Sequence, residues 1–203
     1  MIIYGEKEIN YISSKDEVMK DLVMKYGHLE KGQVTDVFES LVLHIIGQLL
    51  SNKVSKTIIN RFIILVGNIT PENVLSTSID TIRECGISRR KAEYIYSLAK
   101  RVYIGDYRFD NLDQMSDEQV IKYLMTIDGV GIWTAEMVTE FTLGRLNIFS
   151  YSDVALKNGI VKAHGFKTLS KQRFERLKKK YSPYASVASL YYYAINDDKA
   201  SKE

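Results

Sequence analysis

The chain has 203 residues, 45% of them apolar, a formal net charge of +3 and a single cysteine, Cys85. That length and apolar content suffice for one good core or two small lobes sharing an interface. The lone cysteine excludes an intramolecular disulfide, a four-cysteine zinc site and an iron–sulfur cluster held by four cysteines. No run approaches the eighteen or so apolar residues of a membrane span, and MIIYGEKEIN lacks the basic-then-apolar order of a leader, so a soluble intracellular protein with no membrane partner is expected.

In chain order the sequence reads as helix after helix. In VTDVFESLVLHIIGQLLS, residues Val37, Phe38, Leu41, Val42, Ile45, Ile46 and Leu49 recur at three- and four-residue spacing and draw one buried stripe down a central helix. The next stretch, NKVSKTIINRFIILVGN, continues the pattern through Val54, Ile58, Phe62 and Leu65. Thr70 and Pro71 make a good helix start, since the hydroxyl can cap and proline needs no amide donor in the first turn. A short helix runs from Ser78 to Cys85 and stops at Gly86. Ser88 can cap the following helix, whose inward face is Ala92, Ile95, Leu98, Ala99 and Val102 and which ends at Gly105.

SDEQVIKYLMTI opens with Ser116 and Gln119 in a capping-box arrangement and carries the stripe Val120, Ile121, Leu124 and Ile127 to a stop at Asp128 and Gly129. WTAEMVTEFTL is helical again, and Ser182 with Pro183 is expected to open a last helix running to about Ile195. Strand signals are nearly absent, which points to an all-α fold. Eight basic residues (Lys162, Lys167, Lys171, Arg173, Arg176, Lys178, Lys179 and Lys180) stand against one acid, Glu175. Such a run reads either as a solvated helix face or as a polyanion contact.

Between the two helices around residue 130 lies IDGVGIWTA, with the only tryptophan of the chain at Trp133. Gly129 and Gly131 either just turn the chain or let a phosphate approach the amides of Gly129, Val130, Gly131, Ile132, Trp133 and Thr134 at an open helix start. A turn of that second kind grips nucleic-acid backbone without reading sequence.

The stretch LMTIDGVGIWTAEMVTEFTLGRLNIFSYSDVALKNGIVKAHG resembles the helix-hairpin-helix motif and following loop of the DNA glycosylase superfamily, nearest to its 3-methyladenine DNA glycosylase II branch. LVLHIIGQLLSNKVSKTIINRF resembles that branch's I-x-G-Q-x-x-S junction, GISRRKAEYIYSLAKRV its G-[IL]-S-x-x-K-A segment, and YSPYASVASLYYYAI its aromatic-x-P-aromatic helix. The likeness covers about residues 9 to 195.

The resemblance implies a two-lobed all-α fold with the active site between the lobes. One lobe is expected from residues 1–35 and 146–203, the other from 36–145, with the helix-hairpin-helix at about 117–143. It implies that Asp153, in IFSYSDVALK, is the catalytic carboxylate, while the residue's place before a helix also suits it as an N-cap. Trp133 stands where lyase-competent relatives carry a lysine, so the implied enzyme removes a base and leaves the abasic site uncut.

Trp133, Met137 and Tyr193 match base-pocket positions, although each also suits helix packing. Leu49, with Gln48, matches the side chains that fill the gap left by a flipped nucleotide, unless Leu49 belongs to the core stripe. Ser51 and Lys53 are placed to touch phosphate. The partner implied is double-stranded DNA containing a damaged base, met by a monomer, in the cytoplasm and on the nucleoid if the source is prokaryotic. No cofactor is required, though hairpin carbonyls of Ile127, Gly129 and Val130 can hold a structural Na+ or K+.

His28, His44 and His164 are scattered and make no metal site. Lacking an acidic partner beside Asp153, the enzyme suits bases that already carry positive charge and leave easily, such as 3-methyladenine and 7-methylguanine. The alternatives are a glycosylase for deaminated or mismatched bases, and a module of this fold that binds damaged DNA without cutting it.

Overall fold

The computed structural model describes residues 2–30 and 34–198; Met1, residues 31–33 and residues 199–203, which the expected lobes include, lie outside the described residues. Among the described residues there is no strand. The helices are α1 (Glu6–Lys15), α2 (Glu17–Tyr26), α3 (Val37–Gly47), α4 (Asn52–Val66), α5 (Pro71–Leu75) and α6 (Ile79–Glu84). They continue as α7 (Arg89–Tyr103), α8 (Asp117–Leu124), α9 (Ile132–Met137), α10 (Val154–His164), α11 (Lys171–Tyr181) and α12 (Ala185–Asp197). A 3-10 turn lies at Leu112–Gln114 and a π-helical turn at Val138–Thr142.

Capping explains most of the helix starts. Asp36, Thr70, Ser78 and Ser88 each accept a first-turn amide, from Glu39, Asn73, Thr81 and Lys91 respectively. Ser116 and Gln119 satisfy each other's amides, as their spacing predicts. Three expectations need correction. The α3 helix ends at Gly47, so Leu49 leaves the buried stripe. The inward face of α4 is Ile58, Phe62 and Val66, one turn apart, while Val54 and Leu65 are exposed. Pro183 does not open the last helix: the Ser182 amide closes α11 by donating to the Lys178 carbonyl, a cis peptide precedes Pro183, and α12 begins after Tyr184.

The chain divides into two compact units, Met1–Gln33 with Thr139–Glu203, and Val34–Val138. The second boundary lies at Thr139 rather than near residue 146. Residues just after it bond to α12: Ser189 donates to the Glu140 carboxylate, and the Ser186 amide donates to the Leu146 carbonyl at 2.9 Å.

In the Val34–Val138 unit, α3 packs on α4, α7 and α9, and α7 also covers α5 and α6. Its core includes Leu41, Ile45, Phe62, Ile95, Leu98 and Leu124. In the other unit, α12 is buried on nearly every face and packs on α1, α2, α10 and α11. Its closest neighbour is α10, because Gly159 lies against the Tyr192 backbone, where a Cβ would overlap the Tyr192 carbonyl.

Polar groups inside this second core bond to one another in a chain. Tyr181 donates to Asp16 at 3.0 Å, and its oxygen lies 2.8 Å from that of Tyr192, which is 2.9 Å from His164 Nε2. A phenol has one proton, so Tyr192 donates to Tyr181 and His164 Nε2–H donates to Tyr192. Asp16 also caps α2 and pairs with Lys180 at 2.7 Å; burial pushes its carboxyl up, but the bonds from Lys180 and Tyr181 outweigh this and hold it below its ordinary range. The basic run is accordingly divided. Phe174, Leu177 and Tyr181 form the inner face of α11, Lys180 pairs with Asp16, and Lys162 donates to the carbonyls of Ile195 and Asp198.

Candidate active site

In the Val34–Val138 unit, the hairpin runs from α8 through a turn to α9. The α8 helix ends at Leu124, sooner than the stripe to Ile127 suggests, and residues 125–131 form the turn. Gly129 has φ +83°, and its Cα faces the Tyr94 ring so closely that any Cβ there would overlap it. The requirement for glycine is therefore both conformational and steric. Gly131 is the N-cap of α9 with no side-chain cap, and Gly131 and Ile132 are exposed. Val130 and Thr134 are buried, at 7% and 2% exposure.

The junction after α3 joins this turn. Gln48 Nε2 donates to the Gly129 carbonyl at 2.8 Å and to Thr134 Oγ1 at 3.2 Å. Gln48 is thus a brace turned inward, a correction to its expected place in the wedge. Leu49 is fully exposed, with φ +60°. For a leucine this left-handed conformation costs about 1–2 kcal/mol, and no burial of Leu49 offsets it. Ser51 caps α4 through the Val54 amide, and Ser51 and Lys53 are both exposed at that helix start.

Trp133 is half-buried and forms a wall of two depressions. One, of about 280 Å³, is lined also by Leu43, His44, Gly47, Leu50, Asn52 and Ser55; the other, of about 360 Å³, by Gln48, Leu49, Gly129, Gly131 and Thr134. The His44 ring meets Trp133 edge-on with centroids 5.9 Å apart. Burial pushes the His44 imidazolium below its ordinary range, so Nδ1–H donates from a neutral ring to the Ser40 carbonyl at 2.8 Å. His44 is thus a structural histidine, half-buried and bonded within its own helix. Met137, one turn after Trp133, is only 3% exposed and belongs to the core of its unit.

Two residues outside the expected set hold this arrangement. Tyr94 backs the Gly129 turn and accepts from Arg90 Nε at 2.5 Å. Lys91 Nζ donates to the carbonyls of Ile46 and Gln48 at 2.9 and 2.6 Å. Lys91 belongs to the G-I-S-x-x-K-A segment, but spacing alone gives no sign of what a lysine at the third position of a helix reaches.

In the other unit, Asp153 is the N-cap of α10 and is 5% exposed. One carboxylate oxygen accepts from the Leu156 amide at 2.7 Å. The capping role is therefore real, and it holds the carboxylate in one orientation. Upstream, the loop is pinned to α12: the Ile148 amide donates to Ser186 Oγ at 2.8 Å, and that hydroxyl reaches the Arg145 carbonyl at 2.7 Å. Within the loop the Ser150 and Ser152 hydroxyls are 3.0 Å apart. Tyr151 packs edge-on against Phe174, with the ammonium groups of Lys157 and Lys171 5.1 and 5.9 Å from its ring centre. Tyr193, 6% exposed with its ring 6.0 Å from Phe141, is packed as a core side chain rather than as an open wall. Its neighbours Tyr191 and Tyr192 point their hydroxyls into internal bonds.

Among the described residues no cluster of His, Cys, Asp and Glu could hold a metal ion, and no helix is long and apolar enough to cross a membrane.

Residues 42–183 match the HhH-GPD superfamily of base excision DNA repair proteins. The chain is 30% identical over 197 residues to the alkylbase DNA glycosidase-like protein mag2 of Schizosaccharomyces pombe, covering 91% of each. The crystal structure of a DNA-3-methyladenine glycosidase from Bacillus halodurans superposes with a TM-score of 0.82 at 33% identity, over 95% of this chain and 90% of that one. The 3-methyladenine DNA glycosylase Mag1 of S. pombe, in complex with abasic DNA, gives a TM-score of 0.83 at 27% identity over 92% and 95%. With that match over most of its length, an all-helical fold and a hairpin built on Gly129, the chain belongs to the HhH-GPD superfamily of base excision DNA repair proteins.

Proposed function

We propose that the protein is a monofunctional DNA glycosylase that flips alkylated purines of the 3-methyladenine and 7-methylguanine type out of duplex DNA and hydrolyses them, leaving an abasic site. The observation that carries this reading is Asp153: a nearly buried carboxylate fixed by the Leu156 amide, in a chain whose relatives are named as alkylbase and 3-methyladenine glycosylases. In the reaction the C1′–N bond breaks, the base departs with the bonding electrons, and water adds to C1′. A carboxylate beside that carbon stabilises the oxocarbenium character of the sugar and orients the water. A cationic base leaves without prior protonation, so one carboxylate suffices.

The absence of lyase chemistry is inferred from Trp133, which has no amine to attack C1′. Its indole face instead suits a cationic base, an attraction of about 1–2 kcal/mol once desolvated. Met137 and Tyr193 remain proposed base contacts, limited by their burial to the edges they expose. The hairpin amides around Gly131 and Ile132, with Ser51 and Lys53, are proposed to hold the DNA backbone, and Leu49 to fill the vacated space. A Na+ or K+ at the hairpin is compatible with the carbonyls there. Those of Ile127 and Gly129 each accept one hydrogen bond, from the Val130 amide and Gln48, which leaves a lone pair on each that could coordinate such a cation, and the cation would offset charge near a phosphate.

The test is excision from duplex oligonucleotides carrying alkylated, deaminated or mismatched bases. Release of alkylated purines, abolished in Asp153→Asn, is expected. Release of only deaminated or mismatched bases, or none above a no-enzyme control, overturns the reading.

A further inference from the structure

Lys91 lies at the third position of α7, behind the Ser88 cap. Its neighbours Arg89 and Arg90 are exposed, whereas the Lys91 side chain turns inward to the end of α3. There it donates to two carbonyls, Ile46 at 2.9 Å and Gln48 at 2.6 Å. A helix end leaves such carbonyls without intrahelical partners. Residue 48 is therefore held from two sides, its carbonyl by Lys91 and its side-chain amide by Gly129 and Thr134. The next residue is Leu49, left-handed and fully exposed. The direction in which Leu49 projects follows from the orientation of the peptide it shares with Gln48, and Lys91 sets that orientation through the Gln48 carbonyl.

We propose that Lys91 is the positioning residue of the DNA wedge: by clamping the Ile46 and Gln48 carbonyls it holds Leu49 erect. The rate of base flipping then depends on an ammonium group that donates to two protein carbonyls. Burial, which withdraws water from the Lys91 ammonium, also pulls it below its ordinary range. The proposal rests on the glycosylase reading and on Leu49 as the wedge.

The test compares single-turnover excision of 7-methylguanine from two duplexes, one with the lesion paired to cytosine and one with it opposite an abasic analogue, where pairing no longer opposes flipping. Lys91→Met keeps the apolar stem and removes the donors; Leu49→Ala removes the wedge. Each is expected to slow excision from the paired duplex about tenfold or more, within the range that a displaced positioning group produces, and to change the unpaired substrate less than about twofold. The double variant should be no slower than the slower single variant. Lys91→Gln, which keeps an amide donor, should fall between wild type and Lys91→Met and serves as the readout should Lys91→Met fold poorly.

Equal losses on both substrates, an unchanged paired rate, or multiplicative losses in the double variant would overturn the proposal alone. Wild-type behaviour of Leu49→Ala on the paired duplex overturns the wedge itself. No excision by the wild type overturns the glycosylase reading, and Lys91's role falls with either.

Discussion

The ring of Tyr94 occupies the space that a side chain at Gly129 would need. The α7 helix thereby meets the turn between α8 and α9, which carries its bend at φ +83°. Gly129→Ala must both adopt a left-handed conformation and displace an aromatic ring. A destabilisation of about 2–4 kcal/mol is expected from these two costs, visible as a lower midpoint in urea unfolding. Duplex affinity should fall as well, because the turn's amides shift. An unchanged midpoint would show that Tyr94 moves away freely.

Asp153 separates two roles by chemistry. Asn caps a helix about as well as Asp, so Asp153→Asn should fold with nearly wild-type stability and bind DNA while losing about 10²–10³-fold in excision rate. Asp153→Ala should lose the same activity and in addition about 1 kcal/mol of stability. Single-turnover rates with parallel thermal melts distinguish the two. Retention of activity in Asp153→Asn would remove the carboxylate from the reaction.

Trp133 yields two outcomes. Incubation of the wild type with substrate and sodium borohydride should trap no covalent enzyme–DNA adduct, since no amine replaces the indole; an adduct would place a nucleophilic lysine elsewhere in the site. Trp133→Ala should slow release of cationic 7-methylguanine by about 5–30-fold, the equivalent of ~1–2 kcal/mol of cation–π attraction, and slow a neutral base less. Equal losses on cationic and neutral bases would reduce the indole to a packing group.

Two imidazoles are kept neutral inside the fold. Burial holds both His44 and His164 below their ordinary range, in the case of His164 against the attraction of Asp16. The unfolded chain takes up these protons near pH 6.5 and the folded chain only at lower pH, so stability is fully present above about pH 6.5 and declines as the pH drops below it. Melting temperatures measured from pH 7.5 to pH 5.5 should fall. Replacing either histidine by glutamine should flatten the slope.

Local chemistry made much of this fold legible. Capping oxygens at Thr70, Ser78, Ser88, Ser116 and Asp153 act within a few residues of themselves, so their geometry follows from spacing alone. Stripes were legible where a helix continued and misleading where it stopped. Leu49 fits a period of three and four with α3, but the helix ends two residues earlier and the leucine points outward. Pro183 likewise looks like a helix start because the residue before it can cap, yet Ser182 is already committed to closing α11.

What the sequence determined by itself was the all-helical class, the glycine turn before Trp133 and a carboxylate at the start of α10, because each rests on interactions between residues a few positions apart. Tertiary structure alone decided that Gln48 braces the turn at Gly129, that Tyr94 closes its back, that Lys91 holds the end of α3 and that Tyr191 and Tyr192 are core. Those assignments depend on which long side chain reaches which carbonyl or phenol across 11 to 164 residues of chain. A flexible side chain's partner is set by the packing of whole helices, and periodicity carries no information about it.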